Sequence, residues 1–248
     1  MTAMIDIQGL HKSFGDHHVL RGVDLQVAEG ETTVIIGGSG SGKSVLMKHM
    51  LGLLRPDRGQ VLVEGEEIGR LPERELTRVR AKFGMVFQQA ALFDSMTVGE
   101  NVAFPLREHR HMPEPELRKL VQEKLELVDL HDVAHLYPAE LSGGMRKRVG
   151  LARAIVLEPK IILYDEPTTG LDPITSNNVD EMIMNAQRRL AVTQVVISHD
   201  IASTFRVGHH VAMIFEGAIV EQGPPATLRA SQHPHVREFL STWFAKGD

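Results

Sequence analysis

The sequence contains no cysteine, which excludes disulfide bonds and thiolate metal sites in this chain. Its most apolar runs, such as "TTVIIG" and "QVVIS", have the length of a buried strand and fall far short of the roughly 20 residues of a membrane span. The N-terminus has no apolar signal segment. The net charge is −5 and no long basic run occurs, which argues against nucleic acid as a partner. We expect a soluble, cytosolic protein that can still dock on a membrane partner.

Three short segments predict the centre of an α/β fold. "TTVIIG" at 32–37, "KIILYDE" at 160–166 and "TQVVISHD" at 193–200 are nearly continuous β-branched runs. Such runs are typical of strands buried on both faces of a parallel sheet. Each ends in polar or glycine residues, and ligands of open parallel sheets bind at those carboxyl ends. We therefore expect the functional site at one edge of a mostly parallel sheet.

Other segments follow different periods and predict two further parts of a single domain spanning 1–248. Residues 4–36 are predicted as strands, and polar and apolar residues alternate in stretches such as 23–27. The segment 60–68 and a hairpin at 210–223 continue this style, which predicts a small antiparallel sheet. Helical spacing dominates between about 89 and 158. We expect a core with an antiparallel β lobe over about 1–88 and 159–230, a helical lobe over about 89–158, and a C-terminal helix over about 234–246.

The stretch "GGSGSGKS" at 37–44 fits the pattern G-x-x-x-x-G-K-[ST]. It follows a predicted strand and opens a predicted helix, so backbone N–H groups and a helix N-terminus converge on one anion. A flexible Gly/Ser turn is the alternative. We expect Lys43 to neutralise the β- and γ-phosphates and Ser44 to bind Mg²⁺. The predicted ATP contacts in this loop are Gly37, Gly38, Ser39, Gly40, Ser41, Gly42, Lys43, Ser44 and Val45.

Acidic and histidine side chains end the other two buried strands. Asp165 in "IILYDEP" suits Mg²⁺, and Glu166 suits orienting or deprotonating a water. A pair of acidic strand caps is the bland alternative. His199 follows "VVIS", where it suits a hydrogen bond to the γ-phosphate, although a lone histidine is often structural. We predict Glu166, His199 and Lys43 as the catalytic residues.

Two weaker candidates complete the predicted nucleotide site. Gln88 ends a strand in "MVFQQAALFD" and suits ligation of Mg²⁺ or its water, or else lies in a solvated turn. Phe14 suits stacking on adenine, which is worth about 1–3 kcal/mol per base, or else belongs to the core. The predicted magnesium ligands are therefore Ser44, Gln88 and Asp165.

A second glycine-rich anion site appears in "LSGGM" at 141–145. Ser142 is a good N-cap for the helix that follows, and Gly143 and Gly144 leave backbone N–H groups free. Unlike the first site, this one has no lysine beside its glycines. The basic patches "MRKRV" at 145–149 and "RVRAK" at 78–82 are interpreted as solvated helix faces.

These motifs, in this order, resemble the nucleotide-binding subunits of ABC transporters. The set comprises "FG" with Phe14, "GGSGSGKS", Gln88, "LSGGM", "YDEP", "GLD" at 170–172 and "SHD" at 198–200. The resemblance covers nearly the whole chain and implies the P-loop NTPase fold of ABC ATPases. It implies a head-to-tail homodimer in which Ser142, Gly143 and Gly144 act in trans on the partner's ATP, with Asp172 at the interface. Met145 departs from the glutamine usual in the family.

A narrower resemblance covers about forty residues, "FQQAALFDSMTVGENVAFPLREH" and "ELSGGMRKRVGLARAI". These segments look like the ATPases of MCE-type lipid transporters, the Mla/Ttg2 group. The resemblance implies a membrane permease, an MCE-domain protein, a STAS-domain protein and a phospholipid cargo. It also implies a peripheral position on the cytoplasmic side of the inner membrane.

Three alternatives remain open. The same ATPase can serve another transporter, such as an amino-acid importer. A soluble ABC protein of DNA repair or translation usually carries two cassettes or long coiled-coil insertions, and neither occurs here. A regulatory module without turnover is disfavoured because Glu166 and His199 are intact.

The C-terminal segment "HPHVREFLSTWFAKGD" has one apolar face, formed by Val236, Phe239, Leu240, Trp243 and Phe244. Two interpretations stand. This face packs on the chain's own sheet, or it docks on a neighbouring subunit or partner protein.

Overall fold

The computed structural model describes residues 3–110 and 112–244, with the side chains of 242–244 outside the description. The strands are β1 (Ala3–Phe14), β2 (His17–Ala28), β3 (Thr32–Ile36), β4 (Arg58–Val63), β5 (Glu66–Glu67), β6 (Phe83–Val86), β7 (Ile161–Asp165), β8 (Thr193–Ser198), β9 (His210–Phe215) and β10 (Ala218–Gly223). The helices are α1 (Lys43–Met50), α2 (Glu73–Arg80), α3 (Val98–His109), α4 (Glu114–Leu127), α5 (Gly143–Ile155), α6 (Pro173–Leu190), α7 (Ile201–Val207), α8 (Pro225–Ala230) and α9 (Pro234–Phe244), with a 3₁₀ turn at Pro138–Glu140.

The larger sheet has six strands in the order β10-β9-β3-β8-β7-β6. Strands β9, β3, β8, β7 and β6 run parallel, and only β10 pairs antiparallel, with β9. Strands β3 and β8 are buried along their whole length, as their continuous apolar sequences require. The predicted mostly parallel core sheet is confirmed.

The smaller sheet is antiparallel, in the order β2-β1-β4-β5. The predicted strands over 4–28 and 60–68 belong to it. The hairpin over 210–223 forms around Glu216 and Gly217, but its assignment to the small sheet is wrong. Strand β9 pairs in parallel with β3 and extends the core sheet. Alternation fixes which face of a strand is buried, and it leaves the pairing partner open.

Three helices lie between β6 and β7 in the chain, and local capping explains where two of them begin. Helix α3 starts at a capping box, because Thr97 and Glu100 each accept a hydrogen bond from the other's backbone N–H. Helix α5 starts at Ser142, whose Oγ accepts from the Met145 N–H at 3.2 Å. Helix α4 follows Pro113 and carries Pro115 in its first turn.

Apolar residues form two clusters, one on each face of the core sheet. Along β3, Val34 and Ile36 belong to one cluster and Ile35 to the other, because successive strand residues point to opposite faces. The first cluster joins the sheet to α3, α4, α5 and α6. The second joins it to α1 and the antiparallel sheet. The core sheet is thus covered on both faces, which leaves its edges to carry the functional groups.

Helix α9 packs on its own chain through its first half. Val236 is fully buried and Leu240 is 5% exposed, both in the first apolar cluster, and Phe239 packs against that cluster. The side chains of Trp243 and Phe244, and residues 245–246 of the predicted helix, lie outside the described residues. Within the described chain, no helix combines the length and apolar character of a membrane span.

Candidate nucleotide site

The phosphate loop joins β3 to α1 at the carboxyl edge of the core sheet. It forms part of a cavity of about 230 Å³, which is lined by His17, Val19, Ser39, Gly40, Gly42, Lys43, Ser44, Val45 and Glu166. A Cβ on Gly37 would lie 2.3 Å from the Ile214 carbonyl oxygen, so only glycine lets β9 approach this closely. His17 and Val19 were not predicted from the sequence. They belong to the start of β2, which precedes the phosphate-loop motif in the chain and contacts the loop only in the folded structure.

Lys43 is folded onto its own loop. Its Nζ donates to the Gly37 and Gly38 carbonyls at 2.8 and 2.9 Å, and the side chain is buried. Burial lowers the pKa of Lys43, while the nearby carboxylates of Glu166 and Asp165 oppose that shift. The ammonium is therefore held at the base of the loop by groups that a bound phosphate can replace or supplement.

Four loops meet at this edge because β3, β8, β7 and β6 are consecutive parallel strands. They carry, in order, the phosphate loop, His199, the Asp165–Glu166 pair and Gln88. Asp165 ends β7, and burial raises the pKa of its carboxyl, with the charge of Glu166 raising that pKa further. The carboxylates of Asp165 and Glu166 repel each other, and Asp165 is the one that resists ionisation. A cation bound between these carboxylates and the phosphates would relieve this repulsion.

Glu166 and His199 form a pair. The Nδ1 atom of His199 lies 3.4 Å from Glu166 Oε2, and the Thr169 hydroxyl donates to the same oxygen at 3.1 Å. Glu166 has φ of +47°, outside the usual range for a residue with a side chain, and its N–H donates to the Ile197 carbonyl at 2.9 Å. This strained backbone turns the carboxylate towards the cavity that it helps to line.

Some predicted nucleotide contacts do not line the cavity: Phe14, Gln88, and Gly37, Gly38 and Ser41 of the phosphate loop. Gln88 is exposed just beyond β6, so its side chain is free to reach an ion or water. Phe14 is 49% exposed at the end of β1, opposite His17, with the Lys12 ammonium 5.7 Å from its ring centre. The alternative that Phe14 is a core residue is wrong, since its ring is half exposed. It stays a predicted adenine platform.

The second glycine segment is not part of this chain's own cavity. Ser142 and Gly143 are exposed at the start of α5, and Gly144 is half-buried. The Ser142 oxygen accepts from its own helix, which leaves the hydroxyl proton free for an outside acceptor. Asp172 caps α6 in the same exposed manner, accepting from the N–H groups of Ile174 and Thr175 at 3.0 Å. The hydrogen bonds from Thr175 lower the pKa of Asp172, so it stays charged on this surface.

The interpretation of the basic patch at 145–149 as a solvated helix face is wrong for Lys147. Lys147 is 5% exposed and is not on a solvated helix face. Its Nζ donates to the Pro167 carbonyl at 2.9 Å and to the Gln88 carbonyl. These acceptors are 20 and 59 residues away along the chain, so helical spacing gave no signal for the contact.

The residues at this edge fit a magnesium-bound nucleoside triphosphate. The Ser41 hydroxyl is buried inside the loop with no hydrogen-bond partner among the described residues, as expected of a group awaiting an anion. The Ser44 hydroxyl faces outward at the start of α1, where the helix dipole favours negative charge. Ser44, Gln88 and Asp165 supply the oxygen donors that Mg²⁺ prefers.

A phosphate loop at the end of a parallel strand, followed by a carboxylate pair on a neighbouring strand, defines a P-loop ATPase. The sequence profile of the family described as "ABC transporter" matches residues 20–169. This chain belongs to the ABC transporter family, as an ATP-binding and ATP-hydrolysing subunit.

Three comparisons illustrate the relationship. The "probable ribonucleotide transport ATP-binding protein mkl" of Mycobacterium leprae is 44% identical over 241 residues, which cover 97% of this chain and 70% of that protein. The "intermembrane phospholipid transport system ATP-binding protein MlaF" of Haemophilus influenzae is 41% identical over 237 residues, 96% of this chain and 90% of that protein. The dimeric ATP-binding cassette MJ0796, bound to ADP and Pi, has a TM-score of 0.79 and 33% identity over 90% of this chain and 99% of that chain.

Proposed function

We propose that this chain powers phospholipid transport within a bacterial envelope. The observation that carries the proposal is the 41% identity to the phospholipid transport protein MlaF, over 96% of this chain. The identity extends well beyond the nucleotide motifs, which occupy a small part of the sequence.

The transporter has three kinds of partner in this proposal. A membrane permease holds the ATPase peripherally on the cytoplasmic side of the inner membrane. An MCE-domain protein receives or delivers the lipid, and a STAS-domain protein contacts the helical lobe over about 89–158. The C-terminal segment is proposed as a further contact for a neighbour; its side chains from 242 onwards lie outside the described residues. These assignments rest on the family resemblance of the two segments around Gln88 and Ser142.

ATP is bound between two copies of the chain. Ser142, Gly143 and Gly144 do not line the cavity of their own chain, and the related cassette MJ0796 forms a dimer with ADP and Pi. In a head-to-tail dimer, the free Ser142 hydroxyl and the N-terminus of α5 meet the γ-phosphate held by the partner's Lys43. Asp172, charged at the same surface, links the two sites.

Hydrolysis is carried out by the groups gathered at the sheet edge. Ser44, Asp165 and Gln88 would hold Mg²⁺, which would supply charge neutralisation for the phosphates. Glu166 orients the attacking water and accepts its proton, and Thr169 and His199 fix the carboxylate that does so. His199 also reaches towards the γ-phosphate, so its position depends on which nucleotide is present.

A second candidate cargo follows from another relative. The Mycobacterium leprae protein with 44% identity is named for ribonucleotide transport. If this chain serves such a transporter, the same ATPase chemistry drives a polar anionic cargo, and the permease must offer cationic groups in place of an apolar path.

Affinity purification from native membranes separates the two cargoes. The tagged chain should bring down a permease and an MCE-domain protein, with phospholipid enriched over a mock purification. Phospholipid vesicles should then raise the ATPase rate of the complex, and a mixture of ribonucleotides other than ATP should not. Copurification without MCE-domain protein, or stimulation by ribonucleotides alone, would overturn the phospholipid assignment.

A further inference from the structure

One face of α5 is pressed against the segment that carries Gln88. Lys147, Gly150 and Arg153 lie at helical spacing on this face. A Cβ on Gly150 would lie 3.2 Å from the Ala90 Cβ, so the helix and the segment are already in close contact. We call residues 87–91 the glutamine segment. Its position is thus set by α5 and not only by the strand β6 that precedes it.

Arg153 fixes the far end of the glutamine segment. Its guanidinium donates to the Ala90 carbonyl at 2.7 Å and to the Ala91 carbonyl at 2.8 Å. Ala90 and Ala91 have φ of +60° and +48°, a left-handed conformation that residues with a side chain adopt only under constraint. The backbone conformation of Ala90 and Ala91 therefore depends on the hydrogen bonds that Arg153 donates to it.

Lys147 fixes the near end and adds a second contact. Its ammonium donates to the Gln88 carbonyl and, at 2.9 Å, to the carbonyl of Pro167, the residue after Glu166. The loops that carry Gln88 and Glu166 are therefore tied to one ammonium on α5. No carboxylate within the described residues pairs with it, and burial lowers its pKa.

The same helix begins at the segment proposed to act on the partner's ATP. Ser142 caps α5, and Lys147 follows five residues later, about 7–8 Å along a helix axis. Helix α5 is thus a short rigid body with one end facing the partner's nucleotide and one side facing its own site.

We propose that Lys147 is a positioning residue, which couples the trans-acting end of α5 to the Gln88 and Glu166 loops of its own site. This inference rests on the proposed trans role of Ser142. When the partner's ATP draws in the start of α5, the ammonium moves the Gln88 and Pro167 carbonyls with it. Occupation of one site then speeds hydrolysis at the other, and a dimer with a single occupied site keeps a lower rate.

The buried charge supports a role beyond packing. A buried ammonium held only by neutral carbonyls is a costly way to join two loops. Lys147→Met is one heavy atom shorter and removes the donor. It leaves the Gln88 and Pro167 carbonyls without this partner, so its thermal unfolding is compared with that of the wild type. Lys147→Arg keeps a charge that can reach both carbonyls.

Steady-state hydrolysis by the purified full chain tests the proposal. In Lys147→Met, we expect kcat to fall about 10- to 100-fold, because misplacing a catalytic group by an ångström has that effect. The affinity for a non-hydrolysable ATP analogue with Mg²⁺ should stay within about 2-fold. Lys147→Arg should recover most of the rate. Arg148→Met is the matched control, since Arg148 donates to the Val128 carbonyl on the other side of the helix.

Hydrogen exchange of the glutamine segment supplies a direct structural readout. The analogue should protect the amides of 87–91 in the wild type and in Arg148→Met, and this protection should be lost in Lys147→Met. The proposal is overturned if Lys147→Met keeps its kcat, if ATP affinity falls in parallel with kcat, or if Lys147→Arg fails to recover the rate. None of these readouts involves lipid, so they are independent of the cargo assignment.

Discussion

The chain carries two glycine-rich anion sites that are built in opposite ways. The phosphate loop at 37–44 is enclosed by its own chain, with Gly37 against Ile214, the Ser41 hydroxyl buried and the Lys43 ammonium folded inward. The segment at Ser142 is exposed, has no cation among its glycines, and lines no part of the cavity. Under the proposed function, the two segments have different purposes: the first is a complete half-site, and the second is a half-site for the partner subunit's ATP.

The two sites differ in whether they act in nucleotide binding or in hydrolysis. Nucleotide binding needs only groups that one chain already holds together. In the proposed dimer, hydrolysis also needs the second segment, which does not line the cavity of its own chain. ATP can then join two subunits until hydrolysis removes the γ-phosphate, which converts chemical energy into association and release.

The largest expected effect comes from changing Glu166→Gln. The amide keeps the shape of the side chain but cannot accept the proton, so kcat should fall by about 10²–10⁴-fold. ATP affinity should stay within about 3-fold, and ATP-bound dimers should accumulate in size-exclusion chromatography. Hydrolysis near the wild-type rate would show that Glu166 is not the base.

A change in the phosphate loop should weaken ATP binding itself. In Lys43→Ala, the buried ammonium is lost and the phosphate charge is uncompensated, so ATP affinity should fall by roughly 100-fold, about 3 kcal/mol. Titration calorimetry measures this directly. Lys48→Ala, which changes an exposed lysine of the same helix, should have little effect. Equal affinities for Lys43→Ala and the wild type would rule out the phosphate-loop assignment.

A change in the exposed Ser142 segment should leave ATP binding unchanged. Ser142→Arg places a bulky cation at the start of α5, so the monomer should bind ATP like the wild type. Its hydrolysis rate should fall about 10- to 100-fold, because the group that approaches the partner's phosphate is misplaced. A parallel loss of ATP affinity in the monomer would place Ser142 in its own chain's site.

The smallest effect concerns α9, which lies apart from both half-sites. Val236 is fully buried, so Val236→Ala should lower the free energy of unfolding by about 1–3 kcal/mol and leave the ATPase rate of folded protein unchanged. Thermal or urea unfolding measures the change, with the exposed Arg237→Ala as the control. An unchanged stability would mean that the helix does not pack on its own chain in solution.

The sequence predicted the phosphate loop, Asp165, Glu166 and the cap at Ser142, because each is coded by residues close together in the chain. The parallel core sheet followed from continuous β-branched runs such as that of β3. Contacts between residues far apart in the chain could not be predicted in this way. The hairpin over 210–223 joins the core sheet because β9 pairs with β3, and Lys147 is buried because two distant loops fold over it. Periodicity describes a segment's own faces and carries no information about its partners.

Mixing Lys43→Ala with Ser142→Arg tests most directly that the two half-sites meet across a dimer. A head-to-tail mixed dimer contains one complete site, formed by the intact phosphate loop of one chain and the intact Ser142 segment of the other. Neither variant alone has such a site. At equal amounts, the mixture should reach up to about a quarter of the wild-type ATPase rate, since about half of the dimers are mixed and each has one of two sites. A mixture no more active than its two components would contradict the account.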